Sequence, residues 1–71
     1  MSDAAFNAGF QAGVNRMDEL RAELTPLEIE EWLHVMTEHR LASQQLGTDT
    51  PFDAGFIAGA MQRSKEPSDR Q

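Results

Sequence analysis

Residues 3–13 read DAAFNAGFQAG and residues 49–59 read DTPFDAGFIAG, and the fold turns on comparing the two stretches. At a constant offset of 46, seven of eleven positions are identical: Asp3/Asp49, Phe6/Phe52, Ala8/Ala54, Gly9/Gly55, Phe10/Phe56, Ala12/Ala58 and Gly13/Gly59. In each copy the phenylalanines stand four apart, so in a helix they stack along one face, with the glycines beside them. An interior glycine costs about 1 kcal/mol of helix stability relative to alanine. Two in each helix demand an offsetting gain, and close approach by another backbone is the usual one. The packing or interaction residues are therefore Phe6, Gly9, Phe10, Gly13, Phe52, Gly55, Phe56 and Gly59. Three arrangements satisfy them. The first and third helices pack on each other, the same surfaces meet between subunits, or one groove stays open for a foreign partner or a small ligand.

Working outward from the repeat, the punctuation marks three helices. Phe6, Phe10, Gly13, Met17, Leu20 and Leu24 follow at steps of four or three, which predicts a helix over about 3–24, capped by Ser2 or Asp3. Thr25-Pro26-Leu27-Glu28 reads as a second start, with Thr25 as N-cap, Pro26 at the first helical position and Glu28 closing a capping box. That helix runs over about 26–46 and stops at Gly47, which suits a left-handed C-terminal position. Its apolar seam is Ile29, Trp32 with Leu33, Met36, His39, Ser43 and Leu46. Thr50-Pro51-Phe52-Asp53 repeats the start chemistry and opens a third helix over about 51–65. Strand signals are absent, since Val and Ile number four in all and nothing alternates. The expectation is an all-α, small three-helix protein, with residues 1–65 as one domain and 66–71 as a disordered C-terminal tail.

A chain of 71 residues with eighteen large apolar side chains, leaving out Met1, has a thin core. Without cysteine it has neither disulfides nor thiolate metal sites to reinforce it, so the core is expected to be completed by dimerisation. Twelve acidic against six basic residues leave a formal net charge of −6, the wrong sign for direct binding of nucleic acid. The only basic residues close together are Arg63, Lys65 and Arg70. No cationic stretch followed by an apolar run opens the chain, and no window has eighteen uninterrupted apolar residues. The expected location is cytoplasmic.

Catalytic chemistry finds little support. A nucleophile needs an adjacent base, and the nearest arrangement is Ser43, four residues after His39, which reads more simply as a buried histidine satisfied by a hydroxyl. The glycines lack the lysine of a phosphate loop. Glu31-x-x-His34 has the spacing of a bundle metal site, with Glu30, His34 and Glu38 as a ladder, but these residues fall off the apolar seam. No cofactor is expected. Trp32 neighbours the seam and reads first as a core residue, and it is also the candidate partner contact, because tryptophan is enriched at the centres of interfaces. The Glu28, Glu30, Glu31 run reads first as a solvated helix N-terminus, with an acidic face for a basic partner as the alternative.

The reading that follows is a non-enzymatic protein–protein interaction module, expected to form a homodimer and to act as an adaptor, regulator or inhibitor. Compact acidic helical proteins occur among phage-encoded inhibitors of bacterial host machinery, such as anti-CRISPR proteins, an analogy of size and charge. The alternatives are a small carboxylate–histidine metalloprotein and a small-ligand binder in the Phe/Gly groove.

Overall fold

The structure is a computed structural model in which residues 3–66 are described. It is all-α, with α1 at Ala4–Glu23, α2 at Pro26–Leu46 and α3 at Pro51–Lys65. The local chemistry explains most of these boundaries. Thr25 and Glu28 form a complete capping box: the Glu28 N–H donates to Thr25 Oγ1 at 3.2 Å, and the Thr25 N–H donates to Glu28 Oε1 at 2.9 Å. At the other end of α2, Gly47 turns the chain with φ 78°. Its N–H reaches the Gln44 carbonyl while the Thr48 N–H reaches that of Ser43, the bond pair of a Schellman turn. Thr50 caps α3 by accepting from the Asp53 N–H at 3.1 Å. The α1 start differs from expectation. Asp3 holds the cap position without a side-chain capping bond, and Ser2 lies outside the described residues.

The most extensive contact in the molecule joins α1 to α3. Gly9 lies against the backbone of Phe52 and Gly13 against that of Phe56 and Ala60, so the contact climbs both helices together and they run parallel. The α2 helix packs on one flank of this pair, antiparallel to α3, with Trp32 beside Phe56 and Arg40 beside Asp49. The buried apolar core is small: Met17, Leu20 and Ala60, with Leu24, Ile29, Trp32 and Leu33 packed against it. No residue of α2 is fully buried.

Two parts of the anticipated α2 seam do not reach the core. Arg40 is already level with Asp49, which precedes α3, so the last turns of α2 run past the start of that helix. Leu46 therefore has no helix opposite it and is 78% exposed. His39 is exposed as well, which overturns its reading as a buried histidine, and only Ser43 beside it is half-buried. Of the anticipated tail, 66–71, only Glu66 is among the described residues. Glu66 terminates α3, its N–H donating to the Arg63 carbonyl and its carboxylate accepting from the Arg63 guanidinium. The rest of that segment, 67–71, lies outside the described residues.

Candidate interaction surfaces

The glycines settle where the repeated motif spends its surface. All four are buried, and a Cβ added to any one would land on a backbone carbonyl of the opposite helix: Phe52 for Gly9, Phe56 for Gly13, Phe6 for Gly55 and Phe10 for Gly59. Each carbonyl oxygen points at a glycine Cα, the arrangement of the weak Cα–H···O contacts that recur where helices approach closely. The bare strips beside the phenylalanines are thus filled by main chain within the same molecule. Of the three arrangements the sequence allows, this is the intrachain one, and the Phe/Gly groove has no space left over the glycines for a small ligand.

The phenylalanines flank this seam. Phe6 stacks beside Phe10 with ring centroids 6.4 Å apart, while Phe56 turns to Trp32 at 6.3 Å. Trp32 is half-buried in this contact, so its main duty in the chain is to hold α2 to α3. Glu28, Glu30 and Glu31 are all exposed, and Glu28 is engaged in the capping box. They share the α2 surface with aliphatic side chains that sequence reasoning passed over: Leu27 at 67% exposure, Val35 at 56% and Leu41 at 54%. Leu27, Glu30, Glu31, His34 and Val35 line a shallow hollow there. The signal was available in the sequence, because Leu27, Leu41, Glu31, His34 and Glu38 project opposite the Ile29–Met36 seam at 3.6 residues per turn.

The Glu31-x-x-His34 pair does not assemble into a larger cluster. His34 pairs instead with Glu38, Nε2 to Oε2 at 3.0 Å, with both side chains largely in water. Among the described residues no group of three or more His, Asp or Glu is placed to hold a metal ion.

Two tertiary ion pairs fasten the ends of the bundle. At the C-terminal end, Arg63 Nε donates to Asp18 Oδ1 and its Nη1 to Glu66 Oε1, both at 2.5 Å, while Arg21 donates to the Arg63 carbonyl at 2.9 Å. The hydrogen bonds to Asp18 and Glu66 hold the Arg63 guanidinium above its ordinary range. At the other end Arg40 Nε faces Asp49 Oδ1 at 3.5 Å, both atoms shielded from water. No described helix is long and apolar enough to cross a membrane. Comparison with protein-family models, curated proteins and solved structures found no match to this chain.

Proposed function

We propose that this chain is a non-enzymatic protein–protein interaction module, a small adaptor, regulator or inhibitor, that meets its partner with the outer face of α2. The observation that carries this reading is the composition of that face. Leu27, Val35 and Leu41 stand in water along one side of a helix that is amphipathic on its other side too, interleaved with Glu31 and Glu38. Apolar side chains spaced through an acidic surface match a partner with aliphatic pockets and a basic rim. The formal charge of −6 steers such an encounter, and a basic surface is what nucleic-acid-handling machinery presents, in keeping with an inhibitor of the phage type. A second copy meeting the same face brings like charge against like, so a foreign partner is the stronger reading than a homodimer.

The test is affinity capture from host lysate with the wild-type chain and a Leu27→Asp/Val35→Asp variant, both checked for native helicity. Selective loss of the captured protein in the variant supports the assignment. Equal recovery by both removes it.

A further inference from the structure

The α1–α3 contact obeys a symmetry with a consequence on the far side of the molecule. Gly9 meets Phe52 and Gly55 meets Phe6; Gly13 meets Phe56 and Gly59 meets Phe10. Exchanging each residue for its equivalent 46 positions away returns the same set of contacts. Two parallel helices with reciprocal contacts are related by a two-fold axis running along them, as in an isologous interface. Under that rotation equivalent side chains point to opposite faces of the pair. Phe56 points toward α2 and meets Trp32. Its equivalent, Phe10, points away from α2, to a side where the described residues supply no helix.

The flanks correspond at the repeated positions and differ at the helix start, where Asp3 is the N-cap of α1 while Asp49 precedes Thr50, the N-cap of α3. On the occupied flank Asp49 takes Arg40, Phe56 takes Trp32, and Ala60, 1% exposed, joins Met17 and Leu20 in the cluster that Ile29, Trp32 and Leu33 pack against. The equivalents on the α1 flank are Asp3, Phe10 and Val14. Asp3 is exposed without a capping bond and Val14 is only half-buried, while Phe6, at 37%, matches the exposure of its equivalent Phe52, at 43%. Two positions in the hollow facing α2 break the likeness: Asp53 becomes Asn7, and Ile57, beside Met36, becomes the exposed Gln11, bonded to Asn15 at 3.1 Å.

We propose that the α1 flank bearing Asp3, Phe6, Phe10 and Val14 is a second helix-docking surface, which takes an amphipathic helix of another protein running antiparallel to α1. The occupant places an aromatic side chain over Phe10 and, two turns later, an arginine or lysine over Asp3. Charge complementarity fixes this choice, because the Arg40–Asp49 pair displays the same chemistry on the equivalent flank. Eight residues from Trp32 to Arg40 span about 12 Å of helix, close to the reach from Phe10 back to Asp3. Where α2 carries Met36, the occupant carries a polar residue to suit Gln11.

The probe is a synthetic peptide of residues 25–47 with Met36→Gln, locked as a helix by a staple on its outer face. It is titrated into the isotope-labelled intact chain while amide shifts are followed by NMR. The expected shifts cluster at Asp3, Phe6, Phe10 and Val14. Arg40→Glu in the peptide weakens binding at least tenfold, and Asp3→Lys in the protein restores affinity for that altered peptide. Peptide-side changes leave the fold of the protein untouched, so loss of binding is not confused with unfolding. Absence of shifts at millimolar peptide overturns the proposal. So do shifts confined to Asp49 and Phe56, which report displacement of the resident α2. The Leu27→Asp/Val35→Asp variant keeps full peptide binding, which separates this surface from the outer face of α2.

Discussion

The carbonyl oxygen of Phe56 stands where a side chain on Gly13 would begin. Helix propensity alone makes Gly13→Ala stabilising by about 1 kcal/mol. The geometry reverses the sign, because the obstructing atoms are backbone: Phe56 O, and Ala60 N at 2.9 Å from the added carbon. Gly13→Ala is expected to cost about 3 kcal/mol or more in urea unfolding, the upper range of overpacking. Gly47→Ala is the control. It has open space around it but a φ of 78°, so its cost is conformational, about 1–2 kcal/mol. A stabilised Gly13→Ala chain contradicts the close approach.

The two threonine caps are expected to differ in weight. Thr50 accepts one bond, whereas Thr25 takes part in a reciprocal pair with Glu28. Thr50→Ala is expected to cost about 1 kcal/mol and Thr25→Ala as much or somewhat more, with serine restoring most of either loss. Thermal and urea unfolding of the four variants measure this. No loss in Thr25→Ala contradicts the capping role.

Arg40 and Asp49 place two shielded charged atoms at a distance too long for a good hydrogen bond. Asp49→Ala alone strands the Arg40 guanidinium and is expected to cost about 1–3 kcal/mol. Arg40→Met together with Asp49→Ala is expected to cost less than the sum of the single changes, with a coupling of about 1 kcal/mol. Strict additivity in the double-mutant cycle shows that the pair contributes nothing as a pair.

Local punctuation was legible in the sequence because it depends on neighbours in the chain. Thr25-Pro26-Leu27-Glu28, Gly47 and Thr50-Pro51 each act within one turn, and each helix starts or stops where they stand. The paired glycines were legible for a different reason: their cost inside a helix required a backbone opposite, and one is there. What escaped was register. Periodicity locates the inner side of α2 but says nothing of where its neighbours end, so Leu46 was carried past the limit of the core, while His39 stands exposed at the rim of a hollow with Asp53 and Ile57. The Arg63–Asp18 pair joins residues 45 apart, and the outer aliphatics of α2 were masked by the glutamates between them. The site is legible only in part for the same reason, since a flank is a property of packed helices and not of one.

The pairing of the first helix with the last also governs how the molecule is made. Its strongest interface joins segments separated by the whole of α2, so closing that long loop precedes the main gain in stability. A nascent chain halted at Gly47 holds α1 with bare backbone strips, and α2 with only Met17 and Leu20 of α1 to pack on. Assembly is therefore expected to be cooperative and to wait on α3, and a truncation before Pro51 is expected to lose the main interface.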